Sequence, residues 1–135
     1  AGADDGSGTT YYALCKDGNG DNVGALQNAG GTFSAADLSD ERIKENIRDT
    51  STDALNLIED IKVRDFELKK NGITKTGFVA QELKPIYPAA VTHEEDEVDE
   101  NGNPIMMMVS PSTLIPVLVK AIQELSAEIK KLKGK

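Results

Sequence analysis

The clearest hydrophobic pattern in the chain is a heptad repeat near its C-terminal end. Isoleucine occupies one heptad position and leucine the other, at Ile115, Ile122 and Ile129 and at Leu118, Leu125 and Leu132. This spacing places both sets on one face of an α-helix and is typical of a coiled-coil seam. Ser110 with Pro111 favours a helix start, and Pro116 either kinks the helix or marks where its regular part begins. The pattern predicts a helix from about Pro116 to Lys133.

The heptads alone leave the number of associating chains open. Isoleucine at a with leucine at d favours a dimer, but Val119 and Ala121 widen the apolar face and weaken that preference. In a parallel assembly, Glu128 could pair with Lys133 of a neighbouring chain. The alternative is an amphipathic helix that packs its apolar face on its own domain.

Upstream of this helix the hydrophobic period switches repeatedly between that of a helix and that of a strand. The segment at 54–61 follows three candidate capping residues (Ser51, Thr52 and Asp53), and the segment at 63–68 alternates apolar and polar side chains. Asn101-Gly102 is a strong hairpin turn. In chain order the predicted elements are a helix at 54–61, strands at 63–68 and 73–76, a brief helix within 77–83, and hairpin strands at 91–93 and 105–109.

The first 38 residues have a different character, with few charges and many turn-forming residues. A β-rich run over 9–15 and a turn over 16–21 precede a return strand at 22–26, which together predict a hairpin. We expect an irregular connection, without regular secondary structure, at Gly30-Gly31 and Ala35-Ala36, leading to the segment that begins at residue 39.

These patterns predict an α+β fold: a small mixed domain with a β-hairpin protrusion and a long C-terminal helix. The chain has 135 residues with only three tyrosines, three phenylalanines and no tryptophan. A single copy would therefore have a thin core, and small chains of this kind often complete their cores by forming oligomers.

Composition and charge also exclude several classes of partner. The formal net charge of −8 argues against nucleic-acid binding, which requires a basic surface. No apolar run approaches the roughly 18 to 20 residues that span a bilayer, and the first residues lack the features of a signal peptide. The acidic run at 94–100 and the turn at 17–21 lack the spacing of a metal loop. We therefore expect no membrane or nucleic-acid partner, no metal and no cofactor.

One short polar segment carries candidate chemistry. Ser39 stands five residues before Lys44, and a serine with a lysine base can cleave a peptide bond without histidine. A lysine acts as a base only when neutral, which requires burial or a neighbouring cation to lower a pKa that is ordinarily about 10.4. Without further support, the same residues would be read as a helix cap and a solvent-facing lysine.

Three segments together resemble a known family. The sequences are Ser-Asp-Glu-Arg-Ile-Lys-Glu-Asn-Ile at 39–47, Gly-Phe-Val-Ala-Gln-Glu-Leu at 77–83 with Tyr87-Pro88 and Val91, and Leu-Ile-Pro-Val-Leu-Val-Lys-Ala-Ile-Gln-Glu-Leu at 114–125. They are similar, in order and spacing, to the C-terminal intramolecular chaperone domain of bacteriophage tail fibres, tailspikes and endosialidases, also classed as the S74 peptidase family. The resemblance covers roughly residues 39–135.

The resemblance implies a trimeric coiled coil and a self-cleaving chaperone. Such domains trimerise the tail protein, assist its folding and then cut at their own first serine. The cleaved bond would be Leu38–Ser39, with Ser39 as nucleophile and Lys44 as general base. Arg42 is a nearby cation that could assist Lys44, or its side chain could position Asp40 or Glu41.

The same resemblance implies where the two parts act. Residues 1–38 would be the C-terminal end of the mature fibre, and residues 39–135 the chaperone and autoprotease. The expected partners are two further copies of the chain and the upstream β-structured fibre domain, which the hairpin around Asn101-Gly102 is expected to contact. The chaperone would act in the cytoplasm of the infected bacterium and be absent from the mature virion, where the fibre portion remains.

Two alternatives stay open. The first is a non-cleaving module that keeps the fold and the trimerisation but not the cutting. The second places the same domain in a membrane-tethered eukaryotic transcription factor. The absence of a following transmembrane segment and of a basic DNA-binding domain from this sequence counts against that alternative.

Overall fold

The computed structural model describes residues 8–134, which fold as several small antiparallel sheets and one long helix. Residues 1–7 of the predicted fibre segment and residue 135 of the predicted chaperone segment lie outside this range. The chain divides into two compact units between Asp49 and Thr50. The mixed α+β class predicted from the sequence is confirmed.

The first unit is built on a three-stranded antiparallel meander. Its strands are β1 (Thr9–Lys16), β2 (Asn22–Ala29) and β3 (Thr32–Asp37), hydrogen-bonded in that order. The carboxylate of Asp17 accepts the backbone N–H groups of Asn19 and Asp21, at 2.9 and 3.0 Å. This side-chain cap closes the turn between β1 and β2, so the predicted hairpin is present and its second strand extends to Ala29.

The third strand corrects the expectation of an irregular connection before residue 39. Gly30 and Gly31 have φ values of +56° and +80°, and Ala29 faces Thr32 across the turn. Two positive φ angles in a two-residue loop are what a tight hairpin requires, because such a turn matches the twist of the flanking strands. The two glycines are therefore a defined turn, and residues 32–37 continue the sheet.

The second unit contains the elements predicted for the middle and end of the chain. They are α1 (Ala54–Asp60), β4 (Arg64–Glu67), β5 (Thr74–Gly77), α2 (Ala80–Leu83), β6 (Val91–Thr92), β7 (Met108–Val109) and α3 (Ile115–Lys133). Of the three candidate caps for α1, Asp53 is the one used, since its side chain accepts the N–H of Asn56. Predicted and observed elements agree in type and order.

The segment between β6 and β7 forms the predicted hairpin, here called the acidic hairpin (residues 93–107). Its regular strands are shorter than expected, and its arms are joined by a bridge between Val98 and Pro104 and by the Ile105 N–H bonded to the Glu97 carbonyl. Proline has no backbone N–H to donate to a ladder, which limits regular pairing there. At the tip, Asp99 accepts three donors from Asn101 and Asn103.

Two small apolar clusters form the core of the second unit. One contains Leu83, Ala90, Val91 and Leu114, and the other packs Ala54 of α1 against Val117 and Ala121 of α3. The backbone N–H of Leu55 also donates to the Glu124 carboxylate at 2.8 Å, which fastens α1 to α3. No large side chain in residues 8–134 is completely buried. The thin core expected from the composition is present.

The heptad face of α3 is not the face that packs on its own unit. The six heptad side chains are 42% to 73% exposed, whereas Val117 is 8% and Ala121 1% exposed. The helix therefore has two apolar faces in different environments. One is covered by α1, and the other, which carries all the isoleucine and leucine heptad positions, lies in solvent in a single chain.

Candidate serine–lysine site

The two residues predicted to act together are in direct contact. The Lys44 ammonium donates to the Ser39 hydroxyl, with 2.6 Å between Nζ and Oγ, and lies 3.0 Å from the Ser39 carbonyl oxygen. Both residues belong to the first unit. A nucleophile and a base at hydrogen-bond distance form the minimal arrangement for nucleophilic catalysis. The two side chains that were predicted to act together are thus in contact within one chain.

A single turn of 3₁₀ helix, Glu41–Ile43, brings Lys44 back to Ser39. Asp40 caps this turn, since its carboxylate accepts the N–H of Arg42 at 2.8 Å. The N–H of Lys44 closes the turn on the Glu41 carbonyl at 3.0 Å. The tight turn reverses the chain over a few residues, and the long lysine side chain spans the remaining distance.

Arg42 engages Asp40 and holds the cap in place. The Nε and one terminal nitrogen of Arg42 donate to the two carboxylate oxygens of Asp40 at 2.9 and 2.7 Å, which makes a bidentate ion pair. Hydrogen bonds from the Arg42 side chain and then from its backbone lower the pKa of Asp40 to about 2, with a smaller contribution from the charge of Lys44. Of the two roles considered for Arg42, its contacts match the positioning of Asp40.

The residue before the serine is tied to the sheet. The backbone N–H of Leu38 donates to the carbonyl of Val23 at 2.9 Å, which extends the β2–β3 ladder one step beyond β3. Ser39 follows at once, so the candidate bond Leu38–Ser39 lies where the sheet ends. Val23 did not emerge from the sequence as a site residue, because it takes part through a backbone carbonyl that any residue would provide.

Solvent still reaches the pair in a single chain. Ser39 and Lys44 are both exposed, and Leu38 is 48% exposed. Water around an amine favours its protonated form, which cannot accept a proton. Ser39 and Lys44 are therefore close enough for proton transfer, but the structure of the single chain leaves both side chains open to water.

Other classes of site find no support in the part of the chain that the structure describes. Within residues 8–134, histidine, cysteine, aspartate and glutamate side chains do not gather in groups of three that could hold a metal ion. Across the same residues, no helix is long and apolar enough to span a bilayer.

The pairing of Asp40 with Arg42 predicts an unusually acidic carboxyl group. The pKa of Asp40 is lowered in the folded chain, so the ionised carboxylate stabilises the turn. This stabilisation is complete above about pH 3.8 and is lost as the pH falls through about 2. A carbon-detected NMR titration of the Asp40 carboxyl should therefore show a midpoint near 2.

Arg42→Gln removes the ion pair and provides the control for this titration. In that variant the Asp40 midpoint should move up toward the ordinary value of 3.8. An ordinary midpoint in the unaltered chain would show that the ion pair does not hold the turn in solution.

Comparison with known proteins finds a family match that begins at Ser39. A family model described as Peptidase S74, chaperone of endosialidase, matches residues 39–92. The long tail fiber protein Gp37 of Enterobacteria phage M1 is 34% identical over 101 residues, which cover 70% of this chain and 38% of that protein. Gp37 of Enterobacteria phage K3 is 42% identical over 62 residues, covering 46% of this chain and 5% of that protein.

A eukaryotic protein is also similar. An uncharacterized membrane protein of Dictyostelium discoideum is 32% identical over 113 residues, which cover 70% of this chain and 7% of that protein. The chain thus spans 38% or less of the length of these curated relatives. The matched family segment begins at Ser39 and contains Lys44. Through residues 39–92, the chain belongs to the chaperone-of-endosialidase family, which confirms the resemblance drawn from its sequence motifs.

Proposed function

We propose that residues 39–135 are an intramolecular chaperone that trimerises a bacteriophage tail fibre and then releases itself by cutting Leu38–Ser39. Residues 1–38 would be the C-terminal end of that fibre. The observation that carries the proposal is the 2.6 Å contact between Lys44 Nζ and Ser39 Oγ. The family match that begins at Ser39 and the similarity to phage tail fibre proteins support it.

The first chemical step is an acyl shift from nitrogen to oxygen. Neutral Lys44 takes the proton of the Ser39 hydroxyl while Oγ attacks the carbonyl carbon of Leu38. The bond from that carbon to the Ser39 nitrogen breaks, and the proton passes from Lys44 to this nitrogen. The Leu38 acyl group is then held as an ester on Ser39 Oγ, and Ser39 has a free amino group.

The second step is hydrolysis of the ester. Lys44, neutral again, accepts a proton from a water molecule that attacks the same carbonyl carbon, and the Ser39 oxygen leaves and regains a proton. The products are a fibre end with a Leu38 carboxylate and a chaperone with Ser39 at its N-terminus. Their lengths are 38 and 97 residues of the 135-residue chain.

Assembly would supply the water exclusion that one chain lacks. The exposed heptad face of α3 provides the apolar surface, and each isoleucine or leucine fully removed from water contributes roughly 1.5–3 kcal/mol, an upper estimate. The family resemblance supplies the number three. Packing three chains would shield surfaces that are open in one chain, and desolvation of Lys44 would favour the neutral amine.

The same proposal assigns a place and a partner to each part. The fibre portion would remain in the virion, and the released chaperone would stay in the cytoplasm of the infected bacterium. The acidic hairpin would contact the upstream β-structured fibre during folding. Its base is fixed by an ion pair of 2.6 Å between Lys84 and Glu94, so it can project as a defined arm.

The second candidate function is a trimerisation module that does not cut. The observation in its favour is the exposure of both Ser39 and Lys44 in one chain, because a lysine base works where water is excluded. The two functions differ in one product, the fragment that begins at Ser39.

The cutting function predicts that each member of the pair is essential. Ser39→Ala removes the nucleophile and should abolish cleavage, and Lys44→Ala should slow it by about 10²–10⁴, the usual contribution of a general base. Lys44→Arg should fail as well, because a guanidinium stays protonated. Intact mass spectrometry over time after refolding measures each rate.

Lys70→Ala is the matched control, since this exposed lysine lies in the turn after β4. It should be cut at the unaltered rate. If Lys44→Ala releases the fragment beginning at Ser39 nearly as fast as the unaltered chain, the assignment of Lys44 as base is wrong. If the unaltered chain is never cut, the non-cleaving module is the correct function.

The two apolar faces of α3 predict two distinguishable defects. In a Ser39→Ala background, Ile122→Asp with Ile129→Asp should convert a trimer to monomers that keep their helical circular dichroism. Val117→Asp places a charge against α1 and should instead unfold the second unit. Light scattering gives the number of chains, and a monodisperse monomer of the Ser39→Ala parent at micromolar concentration would contradict the trimer.

A further inference from the structure

We infer that the β2–β3 ladder of the fibre segment positions the scissile peptide, so that cutting requires this ladder to be closed up to Leu38. The inference rests on the proposed self-cleavage and adds a regulation to it. It assigns a positioning role to Val23 and Gly24, two residues on the fibre side of the cleaved bond.

The scissile peptide is held on both sides. On the fibre side, Ala36 faces Ala25, Asp37 faces Gly24, and the Leu38 N–H donates to the Val23 carbonyl at 2.9 Å. On the chaperone side, Lys44 holds the Ser39 hydroxyl at 2.6 Å. The ladder fixes the backbone that leads to the attacked carbonyl, and the lysine fixes the attacking oxygen. Such a reaction needs both in register, since an error of about 1 Å can cost about 10²-fold in rate.

Gly24 sets how closely the end of β3 can approach β2. A Cβ atom on this residue would lie 2.7 Å from the carbonyl oxygen of Ala36 and 3.6 Å from the Cα of Asp37. Both atoms belong to the backbone, so the obstruction could be relieved only by moving the strand. A side chain at position 24 would therefore displace β3 immediately before Leu38. A lone glycine in a strand can signal such a close approach, although the sequence does not show which backbone atoms it approaches.

The sheet and the catalytic pair belong to the same compact unit. The division between the two units falls after Asp49, beyond the turn that carries Lys44. Displacement of β3 would thus act directly on the geometry between Leu38 and Ser39. A fibre end that is unfolded or out of register would lack the hydrogen bond from the Leu38 N–H to the Val23 carbonyl and would leave Leu38 unanchored. Cutting would then wait until the fibre strand has formed.

The test compares two glycine substitutions in the full chain. Gly24→Ala should slow the appearance of the fragment beginning at Ser39 at least tenfold. Gly18→Ala is the matched control, because a Cβ at Gly18 meets nothing within 4 Å, and it should cut within twofold of the unaltered rate.

A second measurement separates positioning from general loss of structure. In a Ser39→Ala background, amide hydrogen exchange should show protection at Leu38 and at Ser34, which faces Gln27 in the middle of the ladder. Gly24→Ala should lower the protection of Leu38 relative to Ser34, whereas a merely destabilised sheet would lose both together and leave their ratio unchanged. If Gly24→Ala does not fold, fast exchange of Leu38 in the Ser39→Ala parent still overturns the inference.

The outcomes distinguish this inference from the function on which it rests. Cutting of the unaltered chain with an unaltered rate for Gly24→Ala overturns the role of the ladder and leaves the serine–lysine pair intact. Absence of cutting in the unaltered chain overturns both. A slow Gly24→Ala with selective loss of Leu38 protection, beside a normal Gly18→Ala, supports the inference.

Discussion

The short contact between Lys44 and Ser39 is the interaction on which the functional account depends, and a small turn maintains it. Asp40 caps that turn, and Arg42 holds Asp40 through two hydrogen bonds of 2.9 and 2.7 Å. All of these contacts join residues between Ser39 and Lys44. They are, however, open to solvent, whereas burial is what favours the neutral amine that a lysine base requires. In the proposed mechanism, the local turn therefore supplies the geometry of the pair, and assembly supplies the burial that favours a neutral lysine.

The helix α3 likewise has one apolar face that packs within its own chain and a second apolar face that is exposed. Val117 and Ala121 pack on α1 and fasten the helix to its own unit, while the isoleucine and leucine heptad positions are left in solvent. A chain with few aromatic residues and no fully buried large side chain among residues 8–134 has little core of its own. Burial of the heptad face between chains would add apolar surface to that core and, in the proposed trimer, could couple stability to the chemistry at Ser39.

The elements with strong local signals were predictable. The heptads gave the extent of α3 to within a residue, Asn101-Gly102 marked the tip of the acidic hairpin, and the spacing of Ser39 and Lys44 was matched by a direct contact. The sequence does not predict the third strand, because Gly30-Gly31 fits an irregular connection as well as the tight hairpin turn that paired glycines also form. A period-two pattern was weak there, since alanine occupies two of the strand positions.

Other features could not be read from side-chain patterns. Which face of α3 meets α1 depends on small residues, Ala54 and Ala121, whose close approach is set by the tertiary fold. The anchor of Leu38 is a backbone carbonyl, which leaves no residue signature. The central claim is that assembly activates a pair already in contact, and the rate of cutting against protein concentration tests it most directly. After dilution from denaturant, the first-order rate constant should rise with concentration and level off where light scattering shows complete trimers. A rate constant that is unchanged at concentrations where the chain is monomeric would contradict the account.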